Sequence, residues 1–259
     1  MIKIALRISA LDQVRQAAEW GAAAVEPRPG DPATEDVAPW VEALVKYQLA
    51  ACCINTVRLV REQGLTLVHP EARVRDEAMH KRRGMIAIGR ALDCPLNIGL
   101  FRGAALEGKP IAYSKNMLVD ILREVCGYAQ EAGVVLLLEP TNRFELDFIQ
   151  TTGEGLAIIE RVDHPNLGIL LDVYHLYIED ASIDGSIARA ADQVGYVHLK
   201  DSNGSKSPIG DGLDFRAILA ALKGIDYDGY VSIGLDSGAG ADDRARKSIA
   251  WLNDLIAGS

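Results

Sequence analysis

The sequence is poor in aromatic residues and contains no long apolar run. Aromatic residues make up 6% of the chain against 49% hydrophobic residues overall, which favours an aliphatic α/β protein whose buried strands are rich in Val, Ile and Leu. No apolar run approaches the roughly 20 residues needed to cross a bilayer. We therefore expect no membrane association.

The sequence also lacks an excess of positive charge. It has 27 Lys and Arg residues against 36 Asp and Glu residues, a formal charge of −9, whereas proteins that bind nucleic acids usually carry basic stripes. The most basic run, Lys81-Arg82-Arg83, lies among acidic neighbours on a predicted helix, and we interpret it as a solvated helix face. The composition therefore argues against a nucleic-acid partner.

Paired cysteines and a secretory signal are missing as well. Cys52, Cys53, Cys94 and Cys126 form no CxxC pattern, and the first two lie in a predicted buried strand. This usage is typical of small core residues in a reducing compartment. The N-terminus begins directly with a strand-like run, without the pattern of a signal peptide. We expect a cytoplasmic protein.

What is present is a regular alternation of apolar runs and helical segments. The eight strand-like runs are Ile2–Ile8, Ala23–Pro27, Leu49–Asn55, Pro95–Leu100, Val134–Glu139, Gly168–Val173, Gly195–Lys200 and Tyr230–Leu235. Continuous apolar runs are expected for parallel strands covered on both faces. An open nucleotide-binding sheet would need a GxGxxG or GxxxxGK[ST] turn, and neither motif occurs. We predict an α/β protein with a single (β/α)₈ TIM barrel domain over residues 1–259.

Local signals mark several element boundaries. The clearest helical segment begins near Pro70, ends before Pro95 and places five apolar residues on one side: Val74, Ala78, Met85, Ile88 and Leu92. Gly21 and Gly133 each follow a helical run and precede a strand, where a left-handed C-cap favours glycine. Asp214 ends a glycine-containing loop and is predicted to cap the next helix.

Three consecutive predicted strands end with a possible metal ligand. Glu139 closes the fifth apolar run, Asp172 closes the sixth and His198 lies near the end of the seventh. A lone carboxylate at a strand end is more often a helix cap or an ion-pair partner, and a lone histidine is more often a half-buried polar residue. Three on successive strands, about 5 Å apart, instead predict a divalent metal site at the catalytic mouth of the barrel. Two oxygen donors and one imidazole suit Mn²⁺, Mg²⁺, Co²⁺ or Zn²⁺.

Further polar residues surround these strand ends. Asn142, Arg143 and Glu145 lie in the loop after the fifth strand, and His175 follows Asp172 by three residues. This density of donors and acceptors suits a polyhydroxylated ligand. Arg102 and Arg143 are candidates for holding a phosphate or carboxylate, and each is equally well interpreted as an ion-pair partner at the barrel mouth.

The C-terminal half resembles the xylose-isomerase-like barrel superfamily, in particular its sugar phosphate isomerase/epimerase group, which includes D-tagatose 3-epimerase, inosose isomerase and hydroxypyruvate isomerase. The matching segments, in the family's order, are Glu139–Glu145, Leu171–His175, Val197–Asn203, Pro208–Phe215 and Tyr227–Ile233. The N-terminal half agrees more loosely, through residues 67–71 and 98–103.

The resemblance implies a set of roles for these residues. In such enzymes a Glu, an Asp, a His and a final Glu from the last four strands bind the metal, and the first three fall on Glu139, Asp172 and His198. Glu145 and His175 match positions that contact substrate hydroxyls. The metal makes a C–H proton of the substrate acidic, and the two glutamates act as bases on its two faces through an enediolate.

The chain departs from the family pattern on the eighth strand. Gly234 stands where the resemblance implies the final glutamate, and Gly204 stands where related epimerases often carry an arginine. Asp236 shares the strand parity of Gly234, so it is a possible substitute ligand. A loop aspartate that caps the last helix is an equally good interpretation of this residue.

Three functions remain open on the sequence. The first is an active isomerase or epimerase of a small keto or aldo sugar, or a sugar derivative, with Glu139 as base. The second is a diverged sugar-binding barrel that has lost turnover because position 234 is glycine. The third, metal-dependent phosphoester cleavage, is disfavoured by only five histidines and the negative charge. Exposed barrel helices make a homodimer possible.

Overall fold

The computed structural model describes residues 1–210 and 212–258, so Asp211 in the predicted loop before Asp214 lies outside the described residues. Eight strands alternate with helices along the chain. The strands are β1 Lys3–Ile8, β2 Ala24–Pro27, β3 Ala50–Ala51, β4 Leu96–Ile98, β5 Leu136–Leu138, β6 Leu167–Asp172, β7 Val194–His198 and β8 Tyr230–Ile233. Each lies within or overlaps one of the eight predicted apolar runs.

All eight strands are parallel and belong to one curled sheet. Its order is β3-β2-β1-β8-β7-β6-β5-β4. A parallel bridge between Ile54 and Leu96 joins the two edges, because Ile54 N donates to Pro95 O at 2.8 Å and Asn97 N donates to Ile54 O at 2.9 Å. The sheet therefore closes on itself, which confirms the predicted (β/α)₈ barrel.

Helices connect the strands and cover the outside of the barrel. They are α1 Gln13–Glu19, α2 Ala38–Tyr47, α3 Val57–Gln63, α4 Ala72–Leu92, α5 Ile111–Glu131, α6 Thr152–Val162, α7 Val173–Glu179, α8 Ile183–Ala190, α9 Phe215–Gly224 and α10 Ala241–Ala257. Within residues 1–210 and 212–258, none of these helices has the length and apolar character that a membrane span requires.

The predicted helix boundaries agree with the structure to within two residues. α4 begins at Ala72, two residues after Pro70, and ends at Leu92. Gly21 and Gly133 have φ angles of +84° and +73°, which confirms the left-handed conformation expected after α1 and α5. Asp214 caps α9, since its carboxylate accepts from Ala217 N at 3.0 Å.

The basic run on α4 differs from its prediction at one residue. Arg83 is exposed and Lys81 pairs with Asp31 at 2.7 Å, but Arg82 is fully buried. Its guanidinium contacts Met79 Sδ at 3.0 Å, and its Nε and Nη2 atoms have no hydrogen-bond partner. The expectation of a solvated face was wrong for Arg82 because this position faces the protein, as Ala78 and Met85 on the same helix do.

The core has two parts separated by the barrel wall. The larger part fills the space between strands and helices. The smaller part lies inside the barrel and consists of Ala5, Ala24, Cys52, Cys53, Leu137, Leu170 and Tyr196. All four cysteines are free and buried, as predicted. Because successive residues of a strand face opposite sides, the residues two positions beyond Ala5, Ala24, Leu137, Leu170 and Tyr196 also point into the barrel, nearer its mouth.

Candidate active site

A layer of polar residues covers the apolar interior of the barrel. The residues two positions beyond Ala5, Ala24, Leu137, Leu170 and Tyr196 are Arg7, Glu26, Glu139, Asp172 and His198. All five are at least 90% buried. Strand register places Arg7 beside Glu26 and Asp172 beside His198. The carboxyl ends of the strands therefore carry one continuous polar layer, where TIM barrels place their chemistry.

The structure brings the three predicted metal ligands together. His198 Nδ1 lies 3.3 Å from Glu139 Oε1 and 3.6 Å from Asp172 Oδ2. His175 Nε2 lies 3.9 Å from each of the same two oxygens. Glu139, Asp172 and His175 also meet the distance requirement for holding one ion together. The two carboxylates together with the imidazole of His198 therefore form a donor set that fits a divalent cation with open positions.

Each carboxylate in this cluster is held through its other oxygen. Glu139 Oε2 accepts from Asn97 Nδ2 at 2.8 Å, and Asp172 Oδ1 accepts from Tyr174 N at 2.9 Å, which caps α7. The chain passes so close to Glu139 at Gly99 that a β-carbon there would collide with Glu139 Oε2. Asp172 is thus both a helix cap and a member of the cluster, so its remaining oxygen has a fixed direction.

Glu26 holds His198 in place in the same way, and this role was not predicted from the sequence. Its Oε2 atom lies 2.9 Å from His198 Nε2 and accepts from Tyr196 OH at 3.0 Å and Ser232 Oγ at 3.1 Å, while Oε1 accepts from Asn55 Nδ2 at 2.8 Å. A carboxylate behind a histidine fixes its tautomer and orientation for a metal. The signal was present, because Glu26 ends an apolar run as Glu139 and Asp172 do.

The electrostatics of the layer favour charged forms. Burial would raise the pKa of Glu26, but His198, with Arg7 and Arg28, lowers it to about 2. Burial would lower the pKa of His198, but the carboxylates of Glu26, Asp172 and Glu139 raise it to about 10. Without a metal, the imidazolium itself compensates the buried carboxylates. A divalent ion would take over that role and displace the proton.

Burial would likewise raise the pKa values of Asp172 and Glu139. The imidazoles of His175 and His198 instead hold the pKa of Asp172 well below its usual value, and His198 lowers the pKa of Glu139. Both carboxylates therefore carry charge at neutral pH, as metal ligands must.

Asn142 and His175 lie next to the cluster as a pair. Asn142 Nδ2 lies 2.8 Å from His175 Nδ1, and Asn142 Oδ1 accepts from Phe144 N at 3.0 Å. Since the amide nitrogen can only donate, His175 Nδ1 accepts and its proton is assigned to Nε2, on the cluster side. His175 lines the pocket, and Asn142 orients it from behind.

The remaining predicted residues are distributed differently. Glu145 is exposed and lines the pocket. Arg143 forms a two-pronged ion pair with Glu179, at 2.7 and 2.9 Å, and is absent from the pocket lining. Asp236 accepts from Ser205 Oγ at 2.7 Å and from Lys206 N at 2.8 Å. It holds the loop after β7, so the structure does not bring it to Glu139 and Asp172.

Arg102 is part of the scaffold beneath the site. It is fully buried and donates to Glu139 O at 2.7 Å, Thr141 Oγ1 at 2.7 Å and the carbonyls of Gly99, Phe148 and Ile149. The sequence left two interpretations of Arg102, an anion ligand or an ion-pair partner. These contacts fit neither of them. It ties the β5–α6 loop to the end of β4.

Gly234, which follows β8, lies next to the side chain of Arg7. A β-carbon at Gly234 would lie 3.2 Å from Arg7 Nε, 3.2 Å from Arg7 Nη2 and 3.2 Å from Lys206 Cβ. The mouth there also receives Arg28 and Arg61. The side of the mouth formed by β1, β2 and β8 is therefore cationic, opposite in sign to the carboxylates on β5 and β6.

Comparison with known proteins identifies what this arrangement is similar to. The family model described as xylose isomerase-like TIM barrel matches residues 14–255. L-ribulose 3-epimerase of Methylomonas sp. (strain DH-1) is 34% identical over 137 residues, which cover 52% of this chain and 47% of that protein. The chain thus spans about half the length of the curated relatives it matches.

Solved structures agree in fold over nearly the whole chain. The apo structure of 3-keto-D-glucoside 4-epimerase from E. coli superposes with a TM-score of 0.87 at 20% identity, covering 98% of this chain and 100% of that one. The IolI protein, solved with a bound zinc atom, gives a TM-score of 0.78 at 17% identity, covering 99% and 98%. At these identities the likeness concerns the fold.

Proposed function

This chain belongs to the xylose isomerase-like TIM barrel family, and we propose that it is a metal-dependent isomerase or epimerase of a small sugar or sugar derivative. The observation that carries the proposal is that Glu139 Oε1 and Asp172 Oδ2 lie 3.3 and 3.6 Å from His198 Nδ1. Relatives named as ketose 3-epimerases support the substrate class.

The proposed metal ligands are Glu139, Asp172 and His198, with His175 at the edge of the cluster. A divalent ion, one of Mn²⁺, Mg²⁺, Co²⁺ or Zn²⁺, would polarise a substrate carbonyl and its adjacent hydroxyl and so make the neighbouring C–H acidic. The zinc atom in the IolI structure supports a metal in this fold. Asn97, Tyr174 N and Glu26 hold the three ligands in place.

Glu139 is the proposed base. Its Oε1 atom faces the cluster, while the hydrogen bond from Asn97 keeps Oε2 fixed. A carboxylate with a lowered pKa is ionised at neutral pH and accepts a proton from an acidified carbon within hydrogen-bond reach. His175 and Glu145 line the same pocket, and their proposed role is to bind substrate hydroxyls, His175 through Nε2–H.

The composition of the pocket favours a reaction that needs one base. With glycine at position 234, the second glutamate of the resemblance is missing, and both oxygens of Asp236 bind loop atoms. A single carboxylate carries a proton between adjacent carbons on one face of an enediolate, which is an isomerisation. Epimerisation at one carbon needs a second proton carrier on the opposite face.

The second candidate is a binding protein without turnover. It is favoured by the same observation at position 234, where Arg7 occupies the space beside the missing glutamate. The homodimer and the cytoplasmic location expected from the sequence stay predictions.

Metal analysis followed by solvent exchange tests the proposal. The purified protein is assayed for bound metal, stripped with a chelator and reloaded, then incubated with a panel of ketoses and aldoses in deuterated water. We expect deuterium in a C–H next to the carbonyl with the loaded protein and background exchange with the stripped one.

Isomerisation and epimerisation give different products. The position of the deuterium in the product therefore distinguishes the two reactions. Absence of both deuterium exchange and product formation with every sugar, despite stoichiometric bound metal, would overturn catalysis and favour the binding protein.

A further inference from the structure

The pocket carries more cationic groups than its proposed chemistry uses. Five basic side chains line it: Arg7, Arg28, Arg61, Lys200 and Lys206. Among the described residues they share the pocket with three carboxylates, Glu139, Glu145 and Asp172, in a protein whose formal charge is −9. We name these five residues the cationic cluster. Its members come from β1, the end of β2, α3 and the chain after β7.

No described carboxylate forms an ion pair with the cationic cluster, although buried Glu26 lies close enough to Arg7 and Arg28 for these arginines to lower its pKa. Among residues 1–210 and 212–258, no carboxylate oxygen lies within 4.0 Å of a side-chain nitrogen of any of its five members. Some basic residues elsewhere have such partners, for example Lys81 with Asp31, Lys115 with Glu154 and Arg143 with Glu179, and others, such as buried Arg82, do not. The cationic cluster is therefore distinguished by the convergence of its five unpaired members on one pocket.

Arg7 shows most clearly that a partner is missing. It is 7% exposed, and its Nε and Nη2 atoms are buried without a hydrogen-bond acceptor, as is Nε of Arg28. A buried guanidinium normally has an anionic or carbonyl partner, because desolvating it without one is costly. Both arginines line the pocket, so the missing acceptor can come from a ligand.

The members of the cluster also repel one another. Burial, together with Arg7 and Arg61, lowers the pKa of Arg28. Burial, together with Arg28 and Arg7, lowers the pKa of Lys206. An anion between Arg7, Arg28 and Lys206 would remove that repulsion. Arginine offers it a planar fork of donors that matches carboxylate and phosphate oxygens.

Gly234 explains how the cluster stays unpaired. A side chain there would contact Arg7 Nε and Nη2 directly, since its β-carbon alone would lie 3.2 Å from both. A glutamate at this position would pair with Arg7 and remove it as an anion receptor. The glycine both opens the space next to Arg7 and Lys206 and leaves their charge available.

We propose that the substrate is an anionic sugar derivative, whose carboxylate or phosphate binds between Arg7, Arg28 and Lys206. The reacting carbons then lie against Glu139 on the opposite side of the mouth. This inference rests on the proposed function for the identity of the reacting side. The anion receptor itself depends only on the cationic cluster.

Matched ligands test the receptor. D-Fructose, D-fructuronate and D-fructose 6-phosphate differ only at carbon 6, and the corresponding D-tagatose series provides a second stereochemistry. Calorimetric titration of the metal-loaded protein at constant ionic strength gives a Kd for each. We expect at least one anionic member to bind at least about tenfold more tightly than its neutral parent, since a hydrogen bond to a charged group contributes this much. The carboxylate and phosphate arms identify which anion the receptor prefers.

Two variants assign the preference to the cluster. Arg7→Gln should reduce the preference for the anion by about 10- to 100-fold while changing affinity for the neutral parent little, and Arg7→Lys should restore part of it. Lys206→Gln removes a half-exposed member, so it remains informative if the Arg7 variants do not fold. Arg83→Gln is the matched control, because it removes one positive charge from the exposed face of α4, where Arg83 faces Glu124.

Equal or weaker binding of both anionic members in both series, or no binding of any anionic ligand, overturns the inference. So does a preference that survives in both Arg7→Gln and Lys206→Gln. The proposed function fails separately. Anionic ligands that bind without solvent exchange contradict catalysis but not the receptor, and exchange confined to neutral sugars contradicts the receptor but not catalysis.

Discussion

The two sides of the barrel mouth are built on opposite principles. On β5, β6 and β7, each of Glu139, Asp172 and His198 has one polar atom held by a neighbour and the other turned toward a common point. On β1 and after β2, Arg7 and Arg28 have buried donor atoms that no neighbour accepts. We propose that the first side holds a cation and the second an anion, so that one pocket binds both ends of a polar substrate.

The difference also shows why position 234 matters more than a missing ligand would suggest. In the resemblance, a glutamate on the eighth strand joins the first side. In this chain Gly234 belongs to the second, because the nearest side-chain atoms to it are those of Arg7 and Lys206. Losing one carboxylate changes both the metal site and the charge of the opposite wall.

The largest expected effect is on proton transfer at the first side. Glu139→Gln removes the base and leaves one side-chain oxygen in place of two, so solvent deuterium exchange should fall by about 10²- to 10⁴-fold. Bound metal should remain detectable by elemental analysis. Glu145→Gln is the control, because this exposed carboxylate lines the same pocket; it should raise KM more than it lowers kcat. Equal losses of kcat in both variants would contradict the assignment of the base.

Removing the support of His198 should have the next largest effect. Glu26→Gln replaces the carboxylate behind His198 Nε2 with a neutral amide, and we expect metal affinity to fall by about 10- to 100-fold. A competition titration with a chromophoric chelator measures it. Tyr196→Phe removes another hydrogen bond to the same Glu26 oxygen and should change affinity only a few-fold. If the two variants lose equal affinity, orientation of the histidine is not what Glu26 supplies.

Introducing a carboxylate on the second side of the mouth should weaken its binding of anions. Gly234→Glu places a carboxylate beside Arg7 Nε and Nη2, so affinity for anionic sugars should fall by about tenfold without a gain in exchange rate. Gly234→Gln controls for size, since it fills the same space without charge. A rise in exchange for the glutamate variant alone would mean that it acts as a fourth ligand and that the native site is a weakened form of the family's.

The smallest effect is expected outside both sides. Arg143 pairs with Glu179 and its side chain is 60% exposed, so Arg143→Gln should leave the midpoint of thermal unfolding close to that of the native protein, because exposed ion pairs contribute little to stability. KM should stay within a few-fold of the native value in steady-state assays. A large rise in KM would instead support the substrate contact that the sequence predicted for Arg143.

Local sequence signals were enough for the barrel and for most of the proposed metal site. Continuous apolar runs predicted all eight strands, and the position of Glu139, Asp172 and His198 at the ends of three runs predicted their convergence. Strand ends are readable because hydrophobic periodicity and the parallel arrangement place each last inward residue at the same rim. The same rule applied to the first two strands would have selected Arg7 and Glu26.

Side-chain partners could not be predicted in the same way. Asn142 orients His175, Arg143 turns to Glu179, and Asp236 binds Ser205 and Lys206 instead of the cluster. The partners of loop side chains depend on distances in the folded structure, which the spacing of residues along the chain does not predict. Buried Arg82 is a similar case, since a charged residue on a helix is usually solvated.

What the sequence by itself determined is the alternation of elements and the identity of the groups at each strand end, because both depend on periodicity within short segments. The tertiary structure decided which groups meet. Glu26 reaches His198 across 172 residues and Ser232 across 206, and Arg7 comes to lie beside Gly234. These contacts exist because barrel closure makes β1 the neighbour of β8, so the charge on each side of the mouth is set by strands far apart in the chain.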